Sequence, residues 1–262
     1  MTAQQGTCEL AATWWGHSSV SVVLGGVTVA TDPLLTRRLL HLTRTGPLPT
    51  PAALQADLVV VSHLHLDHLH LPSLRRFPPG TPIVVPRGAV AAVPQLRELA
   101  VVEVDAGETV EVAGMRVEAL VAQHDGRRHN WARRDAPALG FRLSAGRSSC
   151  WYSGDTGVHD EIDAVQPVDL ALVAIGGWGP TLGEGHLDPE QAAGMVARVG
   201  ATWALPVHYG TFWPVVMRRV RPDTHRRLFV TPPERFLEAV AAQGVQTIPV
   251  VPALGEPLDL AG

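Results

Sequence analysis

Three imidazoles and one carboxylate fall within six consecutive positions of the chain: His63, His65, Asp67 and His68. The apolar run 58–61 immediately precedes them, so the sequence predicts a buried strand that ends in these side chains. Imidazole and carboxylate ligands suit a borderline divalent ion such as zinc, and a site without thiolates usually keeps one coordination position open for water. The spacing therefore predicts a catalytic metal site. The alternative, a polar loop with chance histidines, would carry a heavy cost for burying unpaired imidazoles.

The geometry of an extended chain predicts which of these side chains point to the same side of the segment. If the segment stays extended after Val61, successive side chains alternate between two sides. His63, His65 and Asp67 would then project to one side and His68 to the other. One short segment could in this way supply ligands to two ions.

Three further candidates each follow an apolar, strand-like run elsewhere in the chain: His124, Asp155 and His208. Strands that end at a common edge would bring these side chains to the first cluster. Taken singly, each could equally be a hydrogen-bonded residue at a strand end. Taken with the cluster, they are candidates for the remaining ligands.

Short strand-like runs and interleaved helical patterns predict the elements that position these residues. The expected strands are 10–15, 20–24, 27–31, 58–61, 83–85, 101–104, 115–121, 138–143, 149–153, 170–174 and 202–206. The expected helices are 72–76, 88–99, 189–199 and 232–243. Gly25 and Gly26 predict a hairpin turn between the second and third strands. Two strand-rich halves flanked by helices predict a layered α/β sandwich.

Composition narrows the class of protein. The 262 residues are 46% hydrophobic, which suffices for a large core, and we expect a single domain spanning residues 1–262. A formal net charge of -4 predicts no nucleic-acid partner. We expect a small-molecule substrate instead, and a homo-oligomer is compatible with the sequence.

The cysteines and the hydropathy pattern bear on location. Two cysteines, Cys8 and Cys150, are too few for a cysteine-rich zinc site or a disulfide framework, which favours a reducing cytoplasm. No apolar run approaches the roughly 20 residues of a transmembrane segment, and the first ten residues lack the features of a signal peptide. We therefore expect a cytoplasmic protein.

The motifs of the chain, taken in order, resemble those of a known family. The signature His-x-His-x-Asp-His occupies 63–68. Other motifs are Trp-Gly-His-Ser at 15–18, Thr-Asp-Pro at 31–33, Gln-His at 123–124, Ser-Gly-Asp-Thr at 153–156, Gly-His-Leu-Asp-Pro-Glu at 185–190 and Val-His-Tyr-Gly-Thr at 207–211. This series resembles the metallo-β-lactamase superfamily, and within it the branch of N-acyl-phosphatidylethanolamine phospholipase D and L-ascorbate-6-phosphate lactonase. The resemblance implies a four-layer αββα sandwich with the metals at one edge, between the sheets.

The resemblance also implies ligands for two divalent metal ions. The first ion would be held by His63, His65 and His124. The second would be held by Asp67, His68 and His208, and Asp155 would bridge the two. Zinc is the expected metal, with manganese or iron as alternatives. Two cations about 3.5–4 Å apart would lower the pKa of a shared water and produce a hydroxide nucleophile.

Asp67 and His186 are the expected catalytic residues. Asp67 would lie beside the hydroxide and be the expected acceptor of the proton that the water gives up, in addition to binding a metal ion. His186 lies in a glycine-containing loop just before a predicted helix, a placement that suits an anionic group. It is the candidate substrate contact or general acid.

Five more residues are candidate substrate contacts or supports for the ligands: His17, Asp32, Arg127, Arg128 and Trp178. Asp32 follows a strand and could orient a ligand imidazole through its second ring nitrogen, whereas His17 could equally be a core histidine. The two arginines could reach a phosphate or carboxylate at the mouth of the site, and Trp178 could line an apolar pocket. The segment 39–54 could form a lid. The remaining histidines are expected to be surface or structural residues: His41, His70, His129, His159 and His225.

Three functions stay open at this point. The first is a phosphodiesterase for a lipid-like or small organic phosphodiester. The second is a lactonase or acyl-ester hydrolase, which would use the same dinuclear site, so the metal residues cannot choose between the two. The third is a non-catalytic metal-binding scaffold, against which stands the complete series of ligands.

Overall fold

Short apolar runs, punctuated by glycine and proline, form two seven-stranded sheets. The computed structural model describes residues 9–129, 131–177, 182–214 and 216–260. Its strands are β1 Leu10–Gly16, β2 Ser19–Leu24, β3 Val27–Thr31, β4 Arg38–Leu39, β5 Leu42–Arg44, β6 Leu58–Val60, β7 Ile83–Pro86, β8 Val101–Val104, β9 Thr109–Val112, β10 Met115–Val121, β11 Leu139–Ala145, β12 Ser148–Tyr152, β13 Leu170–Ala174, β14 Trp203–Val207, β15 Phe212–Pro214, β16 Ile248–Pro249 and β17 Pro257–Asp259. Its α-helices are α1 Leu71–Leu74, α2 Ala89–Ala92, α3 Pro189–Val199, α4 Met217–Val220, α5 Pro222–His225 and α6 Pro232–Ala242. Turns of 3-10 helix lie at Pro51–Leu54, Pro94–Glu98 and Asp160–Ala164, and a π-helical turn lies at Arg226–Val230.

The first sheet joins an antiparallel half to a parallel half. Its order is β17-β1-β2-β3-β6-β7-β8. Strands β1 to β3 are antiparallel, and the predicted hairpin turn is confirmed, because Leu24 pairs with Val27 across two glycines of positive φ. From β3 to β8 the neighbouring strands run parallel. β3 and β6 therefore end at the same edge of the sheet.

The second sheet is mixed as well, in the order β16-β14-β13-β12-β11-β10-β9. Strands β9 to β12 pair antiparallel, and β12, β13, β14 and β16 pair parallel. A small third sheet, β15-β5-β4, holds the hairpin formed by residues 38–44. The loops after β6, β12 and β14, which have parallel neighbours, and the loop after the antiparallel β10 carry the candidate ligands.

The alternating side chains of β6 show how the layers stack. Val60 belongs to the main core, which also contains Phe141 of the second sheet. Val59 belongs to a separate core that contains Leu74 of α1 and Ala89 of α2. On the far side of the molecule, α3 packs on β13 and α6 packs on α3. The order helix, sheet, sheet, helix confirms the expected αββα sandwich.

The predicted elements match the observed ones except at one helix. The helix expected at 88–99 is two short pieces, α2 and the 3-10 turn Pro94–Glu98. Pro94 cannot donate a backbone N–H and disfavours helical geometry in the preceding residue, so Val93 adopts φ -129° and ψ 79°. None of the helices in the described ranges has the length and apolar composition needed to span a bilayer.

Candidate metal centre

The segment that carries the histidine cluster leaves the strand and turns. β6 ends at Val60, and the amides of His68 and Leu69 donate to the carbonyl oxygen of His65 at 3.1 and 2.9 Å. The expectation that an extended chain sends His68 away from Asp67 is therefore wrong, because the alternation stops where this turn begins. His68 Nε2 lies 3.6 Å from Asp67 Oδ2.

Three imidazole nitrogens converge in a first group, formed by His63, His65 and His124. His63 Nε2 lies 2.9 Å from His65 Nδ1, and His124 Nε2 lies 3.1 Å from the same atom. A tetrahedral zinc ion with Zn–N bonds of about 2.0–2.1 Å separates its ligand nitrogens by about 3.3 Å. The first group thus has nearly the spacing of a three-histidine face of a metal site.

The opposite ring nitrogens of this group are held so that the converging nitrogens carry lone pairs. The Gly185 carbonyl oxygen can only accept, so His124 Nδ1 donates to it at 2.9 Å and His124 Nε2 has no proton. Ser62 Oγ donates to Asp32 Oδ2 at 2.5 Å and therefore accepts from His63 Nδ1 at 2.9 Å. Burial lowers the pKa of His124 to about 4 and that of His63 well below its usual value, so both rings are neutral near pH 7.

A second group combines two imidazoles with two carboxylates: Asp67, His68, Asp155 and His208. His68 Nε2 lies 3.2 Å from both His208 Nε2 and Asp155 Oδ2. His208 Nε2 lies 3.1 Å from Asp155 Oδ2 and 3.7 Å from Asp67 Oδ2. The single segment 63–68 thus supplies ligand atoms to both groups, as the sequence analysis expects, although by a turn rather than by alternation.

The two Nε2 atoms of the second group face each other. His208 Nδ1 donates to the Gly176 carbonyl oxygen at 2.9 Å, and His68 Nδ1 donates to Asp32 Oδ2 at 2.5 Å. In neutral rings the two Nε2 lone pairs would repel, and a cation placed between them removes that repulsion. Burial lowers the pKa of His208, but the charge of Asp155 outweighs burial and raises that pKa to about 9, so this position favours a positive charge, which a proton or a metal ion can supply.

Asp155 lies between the two groups. Its Oδ2 contacts the second group and lies 4.0 Å from His124 Nε2 of the first. Burial alone would raise its pKa, but His208 and His68 hold that pKa well below the usual value, so the side chain is a carboxylate. Its Oδ1 is buried and has no hydrogen-bond partner among the described residues. An unpaired buried carboxylate oxygen is costly, and coordination to a cation would satisfy it. The side chains of both groups therefore fit divalent metal ions.

One buried carboxylate supports a histidine in each group. Asp32 Oδ2 accepts from Ser62 Oγ, His68 Nδ1 and the Tyr152 hydroxyl, each at 2.5 Å. Because Ser62 Oγ in turn accepts from His63, Asp32 orients one histidine of either group. This is the contact that its predicted role requires. Ser62 and Tyr152 were not among the residues predicted from the sequence, although a phenol within an apolar strand signals a buried acceptor nearby.

His17 lies against the second group. Its Nε2 donates to Asp67 Oδ2 at 2.9 Å, and its ring centroid lies 4.2 Å from that of His208. Its backbone has φ 54° and its carbonyl oxygen accepts from the His208 amide at 3.1 Å. Burial lowers the pKa of His17 to about 4, so the ring is a neutral donor near pH 7. His17 was expected to be a core histidine, a substrate contact or a support for a ligand. The structure places it in contact with the candidate ligand Asp67.

A cavity of about 470 Å³ opens above the two groups. His186 lines it, and His186 Nε2 lies 3.6 Å from Asp155 Oδ2. His41 and His129 also line it, so two histidines expected to be surface or structural residues border the candidate site. Trp178 lies outside the described residues.

The two candidate arginines have different surroundings. Arg128 lines the cavity, and its Nη1 donates to the carbonyl oxygens of Leu64 and Leu69 at 2.8 and 2.5 Å, which braces the ligand-bearing turn. Arg127 is exposed and donates through Nε and Nη2 to the Asp125 carboxylate. The side chain of Arg127 is thus engaged beside the cavity rather than in it.

Comparisons with known proteins show which family the chain is similar to. A family model described as a beta-lactamase superfamily domain matches residues 28–209. A metal-dependent hydrolase of Thermoplasma acidophilum is 26% identical over 250 residues, covering 94% of this chain and 97% of the relative. N-acyl-phosphatidylethanolamine-hydrolyzing phospholipase D 1 of Caenorhabditis elegans is 29% identical over 236 residues, covering 78% of this chain and 64% of the relative.

A solved structure shows the same fold. The metallo hydrolase of Ignicoccus hospitalis superimposes with a TM-score of 0.71 at 21% identity, covering 95% of this chain and 97% of that chain. The family model alone covers more than half of the sequence. The chain therefore belongs to the metallo-β-lactamase superfamily.

Proposed function

We propose that the protein is a hydrolase that uses two divalent metal ions to cleave a lipid-like or small organic phosphodiester. The observation that carries the proposal is the meeting of two donor groups around the Asp155 carboxylate, whose buried Oδ1 has no hydrogen-bond partner among the described residues. In this proposal His63, His65 and His124 hold one ion, and Asp67, His68 and His208 hold the other. Zinc suits these ligands, and manganese or iron are alternatives.

The metal ions, when bound, supply an activated water and polarise the scissile group of the substrate. Asp67 borders the cavity and accepts the proton released by the attacking water. The Nε2–H group of His17 holds Asp67 Oδ2 in place for this task. Burial lowers the pKa of His186, so His186 acts as a neutral hydrogen-bond donor to the substrate rather than as a full positive charge.

Two observations bear on which bond is cleaved. The similarity to a phospholipase that hydrolyses N-acyl-phosphatidylethanolamine supports phosphodiester chemistry. A lactone or acyl ester is the second candidate, favoured by the commitment of the cavity-lining Arg128 to two backbone carbonyl oxygens, because a carbonyl substrate needs less neutralisation of charge. The two chemistries share every residue of the metal centre.

One experiment tests the proposal and separates the alternatives. Protein loaded with zinc, manganese or iron(II) is assayed against bis-(p-nitrophenyl) phosphate and a panel of lactones, beside the Asp155→Asn variant. We expect turnover of the phosphodiester that disappears in the variant. Turnover of lactones alone would favour the second candidate. Stoichiometric metal without turnover of either class would contradict a hydrolase and favour a metal-binding scaffold.

A further inference from the structure

Leu40 combines two unfavourable features at the rim of the candidate site. It lies with His41 in the two-residue turn between β4 and β5, its φ is 50°, and 73% of its surface is exposed. A leucine at positive φ carries backbone strain that glycine or asparagine would avoid, and an exposed leucine forgoes the gain from burial. The positive φ suits a two-residue hairpin turn, and Ala113 adopts φ 52° in the turn between β9 and β10, but the exposure of the leucine side chain does not stabilise the hairpin.

The position of this strain within the molecule is informative. In the described ranges, five non-glycine residues have positive φ: His17, Asp32, Leu40, Ala113 and His208. Three of them belong to the metal centre or contact its ligands. Strained backbone persists mainly where function requires a particular geometry. Leu40 differs from Ala113, the other hairpin-turn residue of this set, because the exposed apolar side chain of Leu40 lines the cavity above the metal centre.

The base of the hairpin is fixed, so the exposed tip is held in place by the fold. Arg44 of β5 is buried, and its guanidinium donates to the carbonyl oxygens of Trp15, Leu34 and Thr36 at 2.8, 2.6 and 3.0 Å. The same guanidinium lies 5.0 Å from the ring centroid of Phe212. These contacts tie the hairpin to the strand that precedes His17.

The remaining walls of the cavity are also largely apolar. Trp131 borders the same cavity and is 86% exposed. Leucines from three segments complete the lining: Leu39, Leu42, Leu66 and Leu182. The arginine in this lining, Arg128, already donates to backbone carbonyl oxygens. A cavity of about 470 Å³ with such walls is suited to an apolar group of moderate size.

We propose that Leu40 and Trp131 together bind an apolar substituent of the substrate, an alkyl, acyl or aryl group, while the scissile group lies at the metal centre. This inference rests on the proposed hydrolase function and narrows its substrate class. Burial of the substituent recovers the contacts that both side chains lack in the free protein. Apart from the metal centre, His186 and the engaged Arg128, the polar side chains of the lining are His41 and His129, so small, highly charged substrates such as sugar phosphates find fewer polar than apolar contacts there.

The inference is tested by binding, so that it does not depend on turnover. The metal-loaded protein is titrated by calorimetry with n-alkylphosphonates from methyl to octyl. We expect Kd to fall about fourfold for each added methylene until the cavity is filled. In Leu40→Asn and Trp131→Ala the decrease should shrink to less than about twofold per methylene, with the Kd of methylphosphonate nearly unchanged.

Two controls keep the outcome interpretable. Leu48→Asn changes an exposed leucine that does not line the cavity and should behave as the unaltered protein. Leu40→Asn should melt no lower than the unaltered protein, because asparagine accepts positive φ. If methylphosphonate binds but Kd does not depend on chain length, or if Leu40→Asn keeps the full dependence, the inference is overturned while the metal centre stands. If no alkylphosphonate binds and no ester is cleaved, the proposed function fails and this inference fails with it.

Discussion

The metal centre and the cavity walls above it are built in opposite ways. The donor side chains of the centre are mostly buried, and their second atoms are held by partners such as Asp32, Gly176 and Gly185. The walls present exposed apolar side chains, Leu40 and Trp131, on a hairpin and a loop. The buried donor groups fix the chemistry of the site. The choice of substrate depends on the hairpin and the loop, which can change without disturbing those donor groups. The predictions below test this division.

The largest effect is expected at the carboxylate between the two groups. Asp155→Asn keeps the shape of the side chain but removes its charge, and no neighbouring residue can replace the bridge. We expect turnover to fall by more than about 100-fold and the metal content to drop to one ion or fewer per chain. Metal analysis and steady-state kinetics measure the two effects. Asp163→Asn, which changes an exposed carboxylate paired with Arg198, is the matched control. Full activity in Asp155→Asn would refute the role of Asp155 as the ligand shared by both ions.

A smaller effect, confined to turnover, is expected at His186. His186→Ala removes a side chain that borders the cavity and lies 3.6 Å from Asp155, and its ring nitrogen is also close enough to His124 and Asp155 to share an ion with them. We expect kcat to fall about 100-fold while both ions are retained. Kinetics paired with metal analysis separates the two outcomes. Loss of metal would show that His186 is itself a metal ligand.

Asp32→Asn should weaken both ions together. The substitution disturbs the hydrogen bonds that orient His68 directly and His63 through Ser62. Outer partners of this kind contribute about 10–100-fold in metal affinity. Competition against a chelator, read separately for each ion, measures the change, and Tyr152→Phe, which removes one donor to Asp32, should show a weaker form of it. An effect on one ion alone would contradict the shared support.

The smallest effect is expected at Arg127, beside the cavity. Its ion pair with Asp125 is exposed, so Arg127→Ala should leave the free energy of unfolding nearly unchanged and change turnover by less than about twofold. Arg128→Ala is the contrasting variant, because it leaves two carbonyl oxygens of the ligand-bearing turn without a donor. The free energy of unfolding of Arg128→Ala should be lower by about 1.5–3 kcal/mol. Urea denaturation measures the free energy of unfolding of both variants. Equal losses of stability would contradict the different roles given to Arg127 and Arg128.

The same division explains what the sequence could reveal. His63 and His68 could be identified because their residue type and close spacing suggest metal binding, and the strand positions follow from apolar runs. The direction of His68 could not, since the turn at His65 depends on backbone hydrogen bonds that leave no pattern in the sequence. The carbonyl oxygens of Gly176 and Gly185 likewise carry no residue-type signal.

The walls were the harder part to predict. Segment 39–54 has no clear periodicity, so the hairpin 38–44 and the positive φ of Leu40 are visible only in three dimensions. Trp131 could be recognised as an aromatic residue near the site, but its exposure could not be predicted. Single exposed apolar residues are common on proteins, and only the cavity gives these two residues a meaning.

The central claim is that two divalent ions are bound around Asp155, and anomalous diffraction from crystals of the zinc-loaded protein tests it most directly. We expect two peaks about 3.5–4 Å apart, one contacting His63, His65 and His124 and the other contacting Asp67, His68 and His208, with Asp155 touching both. Peaks located elsewhere, or a single peak out of reach of Asp155, would contradict it.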